Sequence, residues 1–205
     1  MKLRNTVIAI GIVAASAAGL YLLKVNKDLV VVSTVVVIGA GFMNSLRDKN
    51  DQNKKIRDYE YFFNRAQDKF ELGNFEDAIL DHNKALELSP SEICLVYSMR
   101  GNAKRNVGDF EGAISDQNKA LDFDPLYVDG YFYRSIAKYK MGDFYGAIDD
   151  YTQVIKINPK DSDAFFNRAN VKKEIGDMKG ACEDLRKAAA LGDNEAMKSL
   201  EENFK

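Results

Sequence analysis

The chain has 205 residues, which suits one domain with an additional segment, and its formal net charge is −2. The charge is uneven: residues 1–58 carry a net +5, whereas residues 59–205 carry a net −7. Because nucleic-acid affinity depends mainly on Lys and Arg that neutralise phosphates, the acidic part excludes a nucleic-acid partner. The two cysteines, Cys94 and Cys182, are far apart and form no CxxC motif, which argues against a disulfide framework, a metal site or a redox site.

Two apolar stretches open the chain. Thr6–Leu23 and Leu29–Leu46 are each 18 residues long and contain no charged side chain. As a helix, each stretch would rise ~27 Å, close to the ~30 Å of a bilayer's hydrocarbon core. The sequence therefore predicts a transmembrane helical hairpin over residues 1–46, in contact with the lipid bilayer through residues 6–46. A polar linker is predicted over residues 47–58.

The charges beside these stretches predict an orientation. The two outer flanks together carry seven Lys or Arg, whereas the loop between the stretches carries two. By the positive-inside rule, both ends of the hairpin, and everything that follows it, would face the cytoplasm. An alternative stays open, because the basic start, the apolar run and Ala15-Ser16-Ala17 also fit a cleaved signal peptide of an exported protein.

Small residues recur four apart in the first stretch, at Gly11, Ala15 and Gly19. Such a face lets two membrane helices approach closely. It could pack the hairpin on itself, or pack two copies of the chain into a homo-oligomer.

The rest of the chain is an internal repeat. Glycines recur at steps of 35, 34 and 34 residues: Gly73, Gly108, Gly142 and Gly176. The three prolines recur at steps of 35 and 34: Pro90, Pro125 and Pro159. A period near 34 in a helix–turn–helix pattern is typical of a helical solenoid. Glycine accepts the positive φ needed past a helix end, and the Asn or Asp that follows each one is predicted to cap the next helix.

Small side chains recur where helices of a unit would cross. In the first helix of each unit these are Ala66, Gly101, Ser135 and Ala169. The second helices are predicted to begin at Phe75, Phe110, Phe144 and Met178. Within the second helices, small apolar residues occupy two equivalent positions: Ala78, Ala113, Ala147 and Ala181, then Ala85, Ala120, Val154 and Ala188.

This pattern resembles the tetratricopeptide repeat (TPR) family over residues 59–193, in four units. The resemblance implies an all-α, right-handed helical solenoid over residues 59–205, here preceded by the transmembrane hairpin. The fourth unit has Gly192-Asp193 in place of its proline, as suits a terminal unit, and a capping helix is expected over residues 194–204.

The resemblance also implies a concave groove, lined by the first helices, that binds a protein or peptide partner. The expected lining residues are Phe63, Gln67, Phe70, Asn102, Arg105, Phe132, Tyr139, Phe166, Asn170 and Lys173. Chaperone-binding members of the family hold a C-terminal carboxylate with Lys, Asn and Arg at set positions. Here those positions hold Phe63, Gln67, Met99, Asp129 and Tyr133, so that clamp is absent.

An Arg of each first helix precedes an Asp of the second by 16 residues: Arg65/Asp81, Arg100/Asp116, Arg134/Asp150 and Arg168/Asp184. Because a guanidinium can grip a carboxylate with two parallel hydrogen bonds, we expect structural ion pairs that join the packed helices. The alternative is a row of arginines that face a ligand.

Nothing in the sequence predicts an enzyme or a cofactor. The single histidine, His82, lies on a second helix among packing residues, and no hydrolase, metalloprotease or nucleotide-binding motif is present. The sequence hypothesis is thus a membrane-anchored adaptor or scaffold without a catalytic residue. A structural subunit of a membrane complex is the alternative.

Overall fold

The computed structural model describes residues 29–88 and 93–203, and every regular element in those ranges is an α-helix. The helices are α1 (Leu29–Glu71), α2 (Phe75–Glu87), α3 (Ile93–Asn106), α4 (Phe110–Phe123), α5 (Val128–Lys140), α6 (Phe144–Ile157), α7 (Ser162–Glu174), α8 (Met178–Ala190) and α9 (Asn194–Asn203). The all-α class is confirmed, and α2, α4, α6 and α8 begin at the predicted residues.

The predicted transmembrane hairpin gains no support from the structure. Its first stretch, residues 6–23, lies outside the described residues, as does the small-residue face proposed for oligomer contacts. Its second stretch, Leu29–Leu46, coincides with the start of α1. Over residues 29–88 and 93–203, no helix has both the length and the apolar character needed to cross a membrane. The predicted linker, residues 47–58, is helical throughout and belongs to α1.

The chain divides into two units between Asp48 and Lys49, and the second unit contains the repeats. In this unit the helices pack in sequence, each on the next, from α2 to α9. Helix α3 also packs on α5, so first helices of neighbouring repeats contact one another. The C-terminal helix α9 packs on α8 and covers the last repeat.

Each turn between paired helices has a glycine in the left-handed region. The φ angles are +78° at Gly73, +85° at Gly108, +80° at Gly142 and +80° at Gly176. In three of these turns the next residue is an Asp whose carboxylate accepts a 2.9 Å hydrogen bond from the backbone N–H three residues later, which is a glycine each time. A Cβ on that glycine would collide with the carboxylate.

The first turn departs from this pattern. Asn74 makes no side-chain hydrogen bond to the start of α2, and the residue three positions later is Asp77 instead of glycine. The predicted capping role is therefore right for Asp109, Asp143 and Asp177 and wrong for Asn74.

The core of the repeats is built mainly from small residues. Three of the crossing positions, Ala66, Ser135 and Ala169, have no exposed surface, and Gly101 is also buried. At Gly101 an added Cβ would lie 2.7 Å from Nε2 of Gln117 and 3.2 Å from the backbone oxygen of Ala113. Close packing of helices here therefore depends on the absence of a larger side chain.

Candidate functional site

The four arginines spaced 16 residues before an aspartate each grip that aspartate with two hydrogen bonds. In the third repeat, Arg134 donates from Nε and Nη2 to the two carboxylate oxygens of Asp150, at 2.9 and 2.6 Å. Each pair joins the first helix of a repeat to its second helix. The equivalent bonds, of 2.5 to 2.8 Å, join Arg65 to Asp81, Arg100 to Asp116 and Arg168 to Asp184.

A second cation, a lysine that was not predicted from the sequence, contacts the aspartate of each pair. A lysine one turn after the arginine forms an ion pair with the same carboxylate at 2.8–2.9 Å. The pattern Arg-x-x-x-Lys in every first helix was the available signal, because residues four apart lie on one helix face. We call the four Arg–Asp–Lys sets the ion-pair ladder. Its lysines are Lys69, Lys104, Lys138 and Lys172.

The last ladder set contains the predicted pair of Arg168 and Asp184 together with a lysine. Two hydrogen bonds from Arg168, at 2.8 and 2.7 Å, reach Asp184. The ammonium of Lys172 lies 2.8 Å from the same carboxylate, so Asp184 is shared by two cations. Only 5% of the Asp184 side chain is exposed, and a single arginine would leave one of its oxygens with fewer donors in this buried place. A lysine is likewise added to the predicted pairs at Asp81, Asp116 and Asp150.

The ladder also connects one repeat to the next. Arg100 donates from Nη1 to Oδ1 of Asn83 in the preceding second helix, at 2.7 Å. Arg134 and Arg168 make the corresponding bonds to Asn118 and Thr152, at 2.6 and 2.9 Å. Each ladder arginine also lies over an aromatic ring of its own helix. The ladder's donors are therefore occupied within the chain, and its geometry is that of a structural element.

A different face of the first helices contains two cavities. The first, of about 140 Å³, is lined by residues of the first two repeats: Gln67, Phe70, Glu71, His82, Met99 and Asn102. The second, of about 310 Å³, is lined by residues of the last two: Tyr139, Tyr151, Asn167, Asn170, Val171, Lys173 and Glu174. Most of these residues lie on the first helices, and Gln67, Asn102 and Asn170 occupy equivalent repeat positions. We call this face the groove.

Nine of the ten predicted groove residues fall into two groups, and the tenth, Arg105, borders neither cavity. Gln67, Phe70, Asn102, Tyr139, Asn170 and Lys173 line the cavities. The other aromatic residues fill contacts between helices instead. Phe63 stacks on Tyr59 and meets the ring of His82, while Phe132 packs edge-on against the buried ring of Tyr151. Phe166 packs against the buried cluster of the last repeat. These three predicted groove residues therefore contribute to the interior.

The side chains of Asn102 and Arg105 are hydrogen-bonded to each other. Both Nε and Nη2 of Arg105 donate to Oδ1 of Asn102, at 3.2 and 2.7 Å. The amide oxygen of Asn102 is thus already used within the chain, whereas no side-chain hydrogen bond is found for Asn170 among the described residues. Burial lowers the pKa of Arg105, which is half-buried.

His82 is the most deeply buried ionisable group that borders a cavity, with 1% of its surface exposed. Its Nδ1 has no hydrogen-bond partner among the described residues. Burial, reinforced by the charge of Arg100, lowers its pKa to about 4. The imidazole is therefore neutral at physiological pH, and its role as an interior residue follows from its environment. No group of His, Cys, Asp and Glu in the described ranges could hold a metal ion.

Comparison with known proteins relates part of the chain to one family and its repeat fold to several solved structures. The family model described as Tetratricopeptide repeat matches residues 96–125 and 129–161. No curated protein matches the chain. Among solved structures, the chain is similar to a crystal structure of MamA, with 22% identity and a TM-score of 0.62, over 68% of this chain and 81% of that one.

Two further structures share the fold, and both have a peptide-binding site. The first TPR of Spaghetti (RPAP3), bound to the HSP90 peptide SRMEEVD, is 20% identical with a TM-score of 0.55, over 58% of this chain and 97% of that one. YrrB, a TPR protein with an unusual peptide-binding site, is 17% identical with a TM-score of 0.62, over 78% of this chain and 89% of that one. Residues 96–125 and 129–161 therefore match the Tetratricopeptide repeat model, and the repeat part of the chain shares the helical-solenoid fold of these solved structures.

Proposed function

We propose that this protein is a membrane-anchored adaptor that binds a peptide segment of a partner protein in the groove. The observation that carries the proposal is the pair of cavities at equivalent positions of the first helices, each bordered by side-chain amides and aromatic rings. A groove of this composition suits an extended peptide, since amides can bond its backbone and rings can contact its apolar side chains.

The ion-pair ladder and the groove are formed by different side chains of the first helices. Because Arg, Asp and Lys of each repeat satisfy one another and connect adjacent repeats, they hold the first helices in register. The groove side chains take no part in these ladder contacts. Asn170 and Lys173 make no ion pair or side-chain hydrogen bond within the described part of the chain, so their polar groups are available to a partner.

Photo-crosslinking tests the groove directly. A photoreactive phenylalanine analogue placed at Lys173 should give a discrete, heavier adduct when cells that contain the full chain are irradiated. The control places the same analogue at Glu183, which is exposed on the second helix of the same repeat. An adduct from Glu183 with none from Lys173 would contradict the groove and point to the opposite surface.

Side-chain substitution gives a second test. We expect Asn170→Ala to reduce partner capture without a change in melting temperature, since an amide without partners in the chain contributes little to stability. Asn102→Ala should also reduce capture, but for another reason, because it releases the guanidinium of Arg105 that the amide holds. Equal capture by the parent and both variants would exclude the groove as the binding surface.

Membrane attachment is the part of the proposal that rests on sequence. Two uncharged 18-residue stretches are consistent with a hairpin that holds the repeats at the cytoplasmic face. Anchoring raises the local concentration of the groove near membrane partners, so that a weak contact suffices. Alkaline carbonate should leave the full chain in the membrane pellet, and recovery in the supernatant would contradict the anchor.

The orientation is tested by a reporter fused after Lys205. A reporter that works only in the cytoplasm should be active. Activity only of an exported reporter would instead support the cleaved signal peptide and an exported protein.

A further inference from the structure

Arg105 differs from the ladder arginines in the groups that its guanidinium contacts. It is half-buried, yet its only hydrogen-bond partner among the described residues is the neutral amide of Asn102. No carboxylate of the described chain lies within ion-pair distance. Arg100, on the same helix, contacts Asp116 at 2.6 Å and also donates to Asn83.

Arg105 is connected to the groove by its repeat position and by its hydrogen-bonded neighbour. Its repeat-equivalent residues are Phe70, Tyr139 and Lys173, all of which line a cavity. Its bonded neighbour Asn102 borders the first cavity. The guanidinium also lies near the hydroxyl groups of Tyr133 and Tyr151, and Tyr151 borders the second cavity.

These tyrosines do not neutralise the arginine. Burial raises the pKa of both Tyr133 and Tyr151, so both hydroxyls are uncharged near neutral pH. A cation that has lost part of its hydration and has no counter-ion is costly, and a bound anion would offset that cost. Two N–H groups of the guanidinium already bond Asn102, which fixes its orientation, and the other three remain to be used.

We propose that Arg105 binds a carboxylate of the partner peptide, so that the groove selects segments with an acidic residue flanked by apolar or neutral ones. This inference rests on the proposed function of the groove and names the chemistry of its ligand. Residues 59–205 carry a net charge of −7, so a run of acidic residues would be repelled, whereas a single carboxylate at Arg105 is favoured. The site differs from the chaperone clamp, whose positions hold other residues here.

The first experiment uses a displayed library of random dodecapeptides, selected on the full-length chain in mild detergent. Four proteins are compared: the parent, Arg105→Gln, Arg105→Lys, and the control Arg186→Gln. Arg186 is exposed on α8, so its loss changes the net charge by the same amount without touching the groove. Melting temperatures of all four are measured first, so that a variant with lower stability is distinguished from one with altered selectivity.

We expect the parent and the Arg186→Gln control to enrich peptides with Asp or Glu at one fixed position. Arg105→Gln should lose that preference but keep the apolar positions, and Arg105→Lys should keep it weakly because a lysine lacks the planar fork. Peptides without an acidic position on the parent, or an acidic position unchanged on Arg105→Gln, would overturn this inference alone. No enrichment of any peptide on the parent would overturn the groove proposal and this inference together.

Binding constants then identify the carboxylate. One selected peptide is synthesised with its acidic residue, with the matching amide, and with an amidated C-terminus. If a side-chain carboxylate contacts Arg105, the amide peptide should bind the parent roughly 10–100-fold more weakly and the Arg105→Gln protein about equally. Loss on C-terminal amidation instead would assign the contact to the terminal carboxylate. Equal losses on the parent and on Arg105→Gln would overturn the contact.

Discussion

Asp150→Asn should be one of the most destabilising single substitutions in the repeats, although it replaces a single oxygen with an NH₂ group. Asp150 lies at the centre of a ladder set, with 4% of its side chain exposed. It accepts two hydrogen bonds from Arg134, at 2.9 and 2.6 Å, and forms an ion pair with Lys138 at 2.8 Å. Replacing the carboxylate with an amide leaves both cations without a counter-ion.

The magnitude follows from how much water each cation can reach. Removing one partner of a fully buried ion pair costs about 3–5 kcal/mol. Here 18% of the Arg134 side chain and 20% of the Lys138 side chain are exposed, so both cations recover some hydration. We therefore expect the lower end of that range, about 3 kcal/mol. Arg134→Gln should cost less, about 1–2 kcal/mol, because Lys138 still neutralises Asp150.

The assay is urea unfolding of the full chain in mild detergent, followed by tyrosine fluorescence. The chain has no Trp, and nine of its ten Tyr lie at residue 59 or later, so the signal reports on the repeats. The matched control is Glu87→Gln, also a carboxylate-to-amide change. Glu87 pairs with Lys84 at the surface, where their side chains are 64% and 56% exposed, and we expect a change within about 0.5 kcal/mol.

Three results would refute this reasoning. Equal effects of Asp150→Asn and Glu87→Gln would show that burial does not strengthen the pair. A larger loss for Arg134→Gln than for Asp150→Asn would show that Lys138 does not share the carboxylate. Additive effects in the double variant would show that Arg134 and Asp150 are not coupled, whereas contact predicts that the two losses combine to less than their sum.

Three further predictions concern the interior. The pKa of His82 is lowered from 6.5 to about 4 in the folded chain, so the unfolded chain binds a proton first as the pH falls. The free energy of unfolding should therefore drop between pH 6.5 and 4, by about 2 kcal/mol at pH 5. A His82→Gln variant with the same pH dependence as the parent would contradict this. Gly101→Ala should cost about 1–3 kcal/mol in urea unfolding, because its Cβ would collide with Gln117, and a neutral effect would mean that the helices can separate there. Gly108→Ala meets no neighbouring atom, yet should cost about 1 kcal/mol because its φ is +85°, and a gain in stability would refute the conformational argument.

Much of the fold could be predicted because the repeat period fixes equivalent positions. Four turn glycines at a near-constant step locate the helix ends, and the next residues locate the helix starts. The aspartate caps follow from the same register. Asn74 is the exception, because its side chain makes no hydrogen bond to the start of α2. The residue three positions later does not explain the difference, since Asp161 and Asp193 form this cap with an alanine there.

The ladder was only partly predictable for a related reason. The 16-residue step identified Arg168 as a partner of Asp184, because one arginine and one aspartate recur in every repeat. It did not identify Lys172, since a lysine on a helix surface is usually solvated and its sequence gives no sign that it turns towards Asp184. Only the packed helices show that a buried carboxylate lies within reach of both cations.

The groove was harder to predict because one position on a helix can serve two neighbours. Phe132 and Tyr139 are both aromatic residues on the inner side of α5, yet Phe132 packs on buried Tyr151 while Tyr139 borders a cavity. Whether an aromatic ring packs on a neighbouring helix or borders a cavity depends on its distance to the adjacent second helix. The sequence pattern of one helix does not contain that distance. Internal contacts such as Arg105 with Asn102 depend on side-chain conformation, which sequence spacing does not specify.

The two arginines of α3 have different surroundings on the same helix. Arg100 and Arg105 are five residues apart, so they project about 140° apart around the helix axis. Arg100 meets an aspartate, an amide and an aromatic ring, as its equivalents in other repeats meet an aspartate and a ring. Arg105 meets a neutral amide, and its equivalents are a phenylalanine, a tyrosine and a lysine. Since the ladder and the small crossing residues already determine how the repeats stack, the groove positions can differ in size and charge without a loss of register. The groove positions do differ in this way within the chain, and the proposed preference for a carboxylate rests on one of these differences, the guanidinium of Arg105 that lacks an acidic partner among the described residues.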